Sequence, residues 1–182
     1  MAALQPTAGR AGRKKLRVMV DANVLLAGVV WPRWPHEVLE HARRGDFRLV
    51  LLPLVIEQAR HRLVTRFPAY VDKFEATLRA ISHQLVKNPT PNQVARHVEL
   101  VRDVTDVPIA LAAINARVDY LVSEDKDLTA QDETTTQLRK RVTVLLSGTF
   151  LREVMGWSSD DLERVRGRTW RDLPQSERSE EE

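Results

Sequence analysis

Short apolar runs alternate with helical patterns along this chain of 182 residues. Four apolar runs predict buried strands, at residues 16–20, 47–52, 120–123 and 142–146. Between them, apolar residues recur at every third or fourth position, the spacing of helices with one buried face. Strands that alternate with helices favour a parallel sheet with right-handed crossovers. The pattern therefore predicts an α/β protein, a three-layer α/β/α sandwich with a central parallel sheet.

Turn-forming residues set the limits of the predicted helices. Residues 31–35 and 87–93 each contain two prolines, so both segments are predicted to be irregular. The short apolar stretch 98–101 is predicted to be an edge strand. One predicted helix ends near Gly45 and the next begins at Pro53. Three more are predicted over residues 69–86, 105–117 and 149–155, the second of them capped by Thr105. A last short helix is predicted to begin at Ser158, which forms a capping box with Asp161.

Composition divides the chain into three parts. Residues 1–15 are basic and rich in Ala and Gly, and are predicted to be a flexible tail. Residues 16–156 are predicted to form the folded domain, and residues 157–182 a helix followed by an acidic tail. The chain has no cysteine, which excludes disulfides, thiol nucleophiles and cysteine-ligated zinc. With no apolar run of about 18 residues and no signal-peptide pattern, we expect no membrane association and a cytoplasmic location.

The charge distribution favours a polyanionic partner. The net charge is only +3, but basic residues crowd the first segment and a second region further along. Such regions are typical of proteins that bind nucleic acid, although a solvated helix face gives the same pattern. The second region comprises Arg43, Arg44, Arg48, Arg60, Arg62 and Arg66.

Four carboxylates lie where the predicted sheet would bring them together. Asp21 and Asp125 follow strands at their carboxyl ends, where parallel sheets hold their active sites. Asp106 opens a helix, and Glu57 lies early in the helix after the second strand. Each has an ordinary explanation as well: a cap for Asp21, the helix dipole for Asp106, a solvated loop for Asp125 and an ion pair for Glu57. Asp103 and Asp127 are further candidates nearby.

A divalent cation would explain such a cluster. Two carboxylates at about 4 Å repel by roughly 4 kcal/mol at an effective dielectric of 20. Mg²⁺ or Mn²⁺ removes this repulsion and prefers oxygen ligands, whereas the five histidines show no zinc-binding spacing here. A bound cation would also activate water for attack on a phosphodiester.

The sequence resembles the PIN-domain family, in particular its bacterial branch of toxin components of toxin–antitoxin systems. The resemblance covers residues 16 to 155. It is carried by the run from Val18 to Leu25, by Glu57 after Val55-Ile56, by Asp103-Val104-Thr105-Asp106 before an alanine-rich helix, and by the run from Asp119 to Leu128.

The resemblance implies an α/β/α sandwich, Mg²⁺- or Mn²⁺-dependent endoribonuclease activity on RNA, frequent homodimers and a cognate antitoxin protein. By motif position, the metal-binding acids are Asp21, Glu57, Asp106 and Asp125. Asn23 and Ser123 match polar neighbours that orient those acids or waters. Glu124 departs from the pattern, since small residues are common there, and both ends of the chain are longer than in a minimal member.

Two other functions stay open at this point. The first is a PIN-like module that binds RNA or a partner without cleaving it, with Trp31, Arg33 and Trp34 stacking on unpaired bases. Packing of the two tryptophans against the core explains the same residues. The second is a haloacid-dehalogenase-like phosphatase, whose second aspartate is replaced here by Asn23, which cannot act as a general acid.

Overall fold

Five strands form one entirely parallel sheet, in the order β3-β2-β1-β4-β5. The structure is a computed structural model, and it describes residues 14–178. Most of the predicted N-terminal tail and the acidic residues 179–182 therefore lie outside the described residues. The strands are β1 (Arg17–Val20), β2 (Arg48–Leu51), β3 (His83–Leu85), β4 (Tyr120–Val122) and β5 (Thr143–Leu145).

Helices cover both faces of the sheet, so the predicted α/β/α sandwich is confirmed. Helices α1 to α4 pack on one another and α2 also contacts α9, whereas α5 contacts α6. The helices are α1 (Ala22–Val30), α2 (Trp34–Arg44), α3 (Pro53–Arg66), α4 (Val71–Ala80), α5 (Pro91–Ala95), α6 (Val107–Asn115), α7 (Lys126–Thr129), α8 (Thr136–Arg139), α9 (Ser147–Glu153) and α10 (Ser159–Val165). Within residues 14–178, no helix is long and apolar enough to cross a membrane.

The four predicted strands are confirmed, but a fifth strand was not predicted. Residues 69–86 were predicted to be one helix, and the chain instead leaves α4 at Ile81 and forms β3. Ile81 and Leu85 fit a helical spacing, but residues 83–85 hydrogen-bond to β2. The edge strand predicted at 98–101 is wrong: these residues form turns, with Leu100 and Val101 buried. The two edge strands of the sheet are β3 and β5.

Helix α1 is the largest element that the pattern of apolar residues did not predict. Seven of its nine residues are buried, so it has no polar face to produce a helical period. The segment 31–35 is irregular only up to Arg33, because Pro35 occupies the first turn of α2, where proline is tolerated. Helix α2 ends at Gly45, as predicted, in a left-handed conformation with φ 80°.

Three other predicted boundaries need correction. The loop 87–93 is shorter than predicted, because Thr90 and Gln93 form a capping box that starts α5 at Pro91. The helix predicted from Thr105 begins as a 3₁₀ turn, Val104–Asp106, and its cap is Asp103. Helix α9 begins and ends two residues earlier than predicted, whereas the capping box that precedes α10 is confirmed.

Candidate metal centre

The carboxyl ends of the neighbouring strands β1 and β4 lie at the point where the order of strand addition along the sheet reverses. After β1 the chain adds β2 and β3 on one side of β1, and it then returns to add β4 and β5 on the other. Such a switch point leaves a crevice beyond the strand ends, where α/β proteins bind their ligands. Asp21 follows β1 directly, and its backbone N–H donates to Val122 O at 3.2 Å, which joins the two strand ends.

Asp21 is held rigidly in this crevice and is only 6% exposed. Its Oδ1 accepts a hydrogen bond from the Val24 N–H at 2.8 Å, and its Oδ2 accepts one from the Ser123 hydroxyl. Burial is the main cause that raises its pKa to about 6, against the lowering effect of these two hydrogen bonds, and the negative charges of Glu124 and Asp125 add to the rise. Asp21 therefore does cap α1, but capping does not account for the other acids around it.

Asp106 lies in the 3₁₀ turn before α6 and has the more strongly perturbed carboxyl group. Burial raises its pKa to about 7, and the further contributions come from neighbouring carboxylates, in decreasing order Asp125, Asp103, Asp21 and Asp127. Its Oδ2 is buried and has no hydrogen-bond partner among residues 14–178. A buried acceptor without a partner costs about 1–3 kcal/mol, more if it is charged, so a proton, a water or a cation at this atom would stabilise the protein.

Ser123 connects the two strand-end aspartates. It is completely buried, and its Oγ donates to Asp21 and accepts from the Asp125 N–H at 2.9 Å. Asp125 in turn caps α7, where its Oδ1 accepts the Asp127 N–H at 2.8 Å. The loop after β4 therefore fixes the position of Asp125 relative to Asp21 through one hydroxyl group.

Three of the four predicted acids meet in one small cavity of about 40 Å³. A water molecule occupies about 30 Å³ in the liquid, so the space suits a small ion or a water. The polar residues that line the cavity are Asp21, Asn23, Gln58, Arg62, Thr105, Asp106 and Asp125.

Glu57 is the exception to the predicted convergence of four carboxylates, because it is exposed and does not line the cavity. Helix α3 buries Val55, Ala59 and Leu63. Gln58 and Arg62, which are four residues apart, share a face beside this buried stripe and border the cavity, whereas Glu57 lies about 100° around the helix from Gln58. Gln58 and Arg62 were not predicted as a pair that lines the cavity, although their four-residue spacing beside the predicted apolar stripe indicates a shared face of the helix.

Two further aspartates extend the acidic group outwards. One oxygen from each of Asp103, Asp106 and Asp127 lies within 4.8 Å of the others. Asp127 also forms an ion pair with Arg102 at 2.5 Å, and Asp103 accepts two hydrogen bonds from Thr105. Asp106 is therefore common to the inner cavity and to this outer group.

The donor set fits a hard divalent cation. All the candidate ligands are carboxylates, the oxygen donors that Mg²⁺ and Mn²⁺ prefer. A cation bound at Asp106 would satisfy its unpartnered Oδ2 and would reduce the repulsion between carboxylates that helps to raise the pKa values of Asp21 and Asp106. Among residues 14–178, the three carboxylates whose oxygens all lie within 4.8 Å of one another are those of Asp103, Asp106 and Asp127.

The predicted basic region divides into paired and unpaired arginines. Arg43 pairs with Glu40, Arg44 with Glu37 and Arg60 with Glu75, at 2.7, 3.9 and 2.6 Å. Arg48 and Arg66 are exposed. Of the six, only Arg62 lines the cavity, where its guanidinium group donates to Asn23 Oδ1.

Comparison with known proteins agrees with this architecture. The family model of the PIN domain matches residues 17–127, which include β1 to β4 and every acid of the cavity. No curated protein matches the sequence significantly. The crystal structure of PAE2754 from Pyrobaculum aerophilum is similar to this one, with 17% sequence identity, a TM-score of 0.54, and coverage of 78% of this chain and 97% of that chain. At this identity the similarity concerns the fold alone. Because the family model spans more than half of the sequence, the chain belongs to the PIN domain family.

Proposed function

We propose that this protein is an endoribonuclease that depends on Mg²⁺ or Mn²⁺. PIN domains are generally nucleases and typically use divalent metal ions. Metal dependence and RNA as the substrate are the proposal for this chain, with Asp21, Asp106 and Asp125 as the metal-binding residues.

One observation carries the proposal: Asp106 Oδ2 is buried without a partner beside two other aspartates. Asp21 and Asp106 both have raised pKa values. Near neutral pH, each is therefore protonated in a fraction of the molecules when no cation is bound. A cluster that only stabilised the fold would place a hydrogen-bond donor at Asp106 Oδ2, as it does at both carboxylate oxygens of Asp21. The arrangement is costly for the metal-free protein and is explained by a cation.

The residues of the cavity would have different roles in the reaction. When bound, the cation would polarise the phosphate and lower the pKa of a water molecule. Ser123 is a positioning residue, since it orients Asp21 and Asp125. Arg62, oriented by Asn23, would bind a phosphate oxygen of the substrate. In the reaction, water attacks the phosphorus, one P–O ester bond breaks, and the leaving oxygen takes up a proton.

A second candidate function is an RNA- or partner-binding module without cleavage. The observation that favours it is Gln58, an amide at the position on α3 that faces the three aspartates. An amide oxygen can bind a cation but adds no negative charge, so metal affinity would be lower than with a fourth carboxylate. A phosphatase of the haloacid-dehalogenase type is less well supported, because the Asn23 amide accepts a hydrogen bond from Arg62 and carries no titratable proton.

The toxin role, a cognate antitoxin protein, a homodimer and a cytoplasmic location are further parts of the proposal. They are supported by the resemblance to the toxin branch of the family. Growth arrest after induction of the chain, abolished by Asp21→Asn, would test the toxin role. The mass of the purified protein in solution would test the dimer.

Cleavage of a mixed tRNA and mRNA pool is the decisive experiment. We expect fragments in millimolar Mn²⁺ and none in EDTA, with single-stranded DNA of matched sequence cut more slowly. Phosphate release from a small phosphomonoester tests the phosphatase alternative. A folded protein that binds RNA but leaves the whole pool intact in Mn²⁺ would contradict the enzyme and support the binding module.

Two neighbouring substitutions on α3 test the predicted fourth carboxylate. Gln58→Glu should allow cleavage at lower Mn²⁺ concentrations, because it places a carboxylate in the cavity. Glu57→Gln is the matched control, since it changes an exposed residue one position away. Loss of cleavage in Glu57→Gln, with no effect of Gln58→Glu, would show that Glu57 reaches the substrate or the cation.

A further inference from the structure

A second, larger pocket lies at the opposite end of α1 from Asp21. We name it the tryptophan groove, and its volume is about 350 Å³. Five of its eight lining residues come from the end of α1, the start of α2 and the turn between them, and the other three from the loop after β4 and the chain after α10. The residues that line it are Ala27, Trp31, Arg33, Trp34, Pro35, Glu124, Arg166 and Gly167.

The two tryptophans of the groove differ in how completely their indole rings are packed against the rest of the protein. Trp34 is anchored, since its Nε1 donates to Leu162 O at 3.0 Å and the Arg166 guanidinium lies 5.1 Å from its ring centroid. Trp31 is 37% exposed, and it meets Phe67 edge-on with 5.3 Å between ring centroids. Packing therefore explains Trp34, but it leaves part of the Trp31 indole open to the groove.

The charges of the groove fit a nucleotide. Arg33 is exposed, and its side chain donates to Arg168 O without an ion pair to any carboxylate of residues 14–178. Glu124 is fixed from the other side, because its Oε1 accepts the Ser147 N–H at 3.0 Å. An aromatic surface, an unpaired arginine and a fixed carboxylate are groups that contact the base, the phosphate and the amino edge of one nucleotide.

The groove and the metal centre both border α1 and the loop after β4. Asn23, Ala27 and Trp31 follow one another at intervals of four residues, so they form one stripe along α1 from the cavity to the groove. At 1.5 Å per residue, this stripe is about 12 Å long. On the other side, Glu124 lines the groove, directly precedes Asp125, and contributes to the raised pKa of Asp21.

We propose that the tryptophan groove binds one unpaired base of the RNA strand that is cleaved at the metal centre. The base stacks on Trp31, its amino group donates to Glu124, and Arg33 contacts the neighbouring phosphate. Bases with an amino group are therefore preferred to uracil in this position. The proposal rests on the endoribonuclease function, and it gives the segment after α10, which lies beyond the matched residues 17–127, a part in substrate binding.

RNA binding without cleavage is the direct test. The full chain in EDTA is titrated into fluorescently labelled single-stranded RNA oligonucleotides, and anisotropy gives the Kd. A series of oligonucleotides carries one abasic nucleotide at each position in turn. For the wild type, the abasic nucleotide should weaken binding at one position by about 5- to 150-fold, the usual range for one stacked base.

Two groove variants identify that position with the groove. In Trp31→Ala, affinity for intact RNA should fall by a similar factor, and the abasic nucleotide at that position should cost nothing more. Trp31→Phe keeps an aromatic surface and should retain most of the affinity. Arg33→Ala should reduce the slope of log Kd against log salt concentration by about 0.7, the value for one lost contact to a single-stranded phosphate. Arg96→Ala, at another exposed arginine, should leave the slope unchanged.

The outcomes separate this proposal from the enzyme itself. If Trp31→Ala and Arg33→Ala, with wild-type melting temperatures, bind RNA as the wild type does, the groove is not an RNA site. That result overturns the groove while cleavage in Mn²⁺ still supports the nuclease. If the wild type neither binds nor cleaves RNA, both proposals fail together.

Discussion

The two ends of α1 lie in chemically opposite surroundings. At its N-terminus, Asp21 is buried among carboxylates that raise its pKa, and a nearby oxygen of Asp106 has no partner. At its C-terminus, the C-terminal segment (residues 157–178) packs over α1 and α2, and two of its tryptophans donate hydrogen bonds there. Trp170 Nε1 donates to Val30 O and Trp157 Nε1 to His41 Nε2, both at 2.9 Å.

This contrast separates the residues that stabilise the fold from those that do not. Tryptophans that bury a large ring and still find an acceptor contribute to stability. Aspartates that are buried beside one another reduce stability unless a cation compensates them. Conservative substitutions at the two ends of α1 should therefore have opposite effects on the free energy of unfolding, and cleavage should depend mainly on the acidic end.

Asp21→Asn should have the largest effect, on cleavage. We expect the rate in Mn²⁺ to fall by more than roughly 100-fold, since even the partners of metal ligands are typically worth 10–100-fold. The fold should persist, because the asparagine oxygen can still accept the Val24 N–H and cap α1. Cleavage assays with circular dichroism as the folding control measure both. A folded variant that cleaves at the wild-type rate would remove Asp21 from the site.

Metal binding should give the largest effect on stability. Mn²⁺ at about a hundredfold over its Kd should add roughly 2.7 kcal/mol to the free energy of unfolding of the wild type. Asp106→Asn and Asp125→Asn should be at least as stable as the wild type in EDTA and should lose most of the response to Mn²⁺. Melting curves in EDTA and in Mn²⁺ measure both quantities. A wild type that does not respond to millimolar Mn²⁺ would contradict the shared metal site.

At the other end of α1, Trp170→Phe should destabilise the protein by about 1 kcal/mol, because it removes the hydrogen bond to Val30 O. The Lys73 Nζ lies 3.2 Å from the Trp170 ring centroid, and a phenylalanine ring keeps part of this contact. Trp31→Phe is the matched control and should change stability by less than about 0.5 kcal/mol, since Trp31 is more exposed. Urea unfolding compares the two. Equal losses would show that the hydrogen bond is not what anchors the segment.

The smallest effect concerns pH. The pKa values of Asp21 and Asp106 lie near 6 and 7, above the ordinary value of 3.8, so these two groups bind more protons in the folded protein than in the unfolded chain between about pH 4 and 7. These two groups therefore make the metal-free protein less stable as pH rises through this window. Burial lowers the pKa of His36, which acts in the opposite direction in every variant.

Comparison with Asp106→Asn isolates the effect of the acids. Between pH 5 and pH 7.5 in EDTA, the wild type should lose more stability than the variant, or gain less. Urea unfolding at the two pH values measures the difference. Identical pH dependence in the two proteins would mean that the fold does not raise the pKa of Asp106.

The sequence by itself determined four of the five strands of the sheet. Strands β1, β2 and β4 are continuous apolar runs because the sheet buries them, and the partly exposed edge strand β5 was predicted in the same way. These predictions also placed Asp21 and Asp125 at the crevice. These features are local, because an apolar run needs no knowledge of its neighbours to be recognised. The same holds for the end of α2 at Gly45 and for the capping box before α10.

Only the tertiary structure decided the features that depend on contacts distant in sequence. Helix α1 has no polar face because it is covered by α2 and α3, and β3 exists because β2 offers it hydrogen bonds. Gln58 rather than Glu57 faces the aspartates because the packing of α3 fixes its rotation. The tryptophan groove brings Trp31 together with Arg166, which is more than 130 residues away in the sequence. A pattern of neighbouring residues cannot predict such a contact. Periodicity shows which residues are buried, but which surfaces meet depends on how the helices and strands pack together.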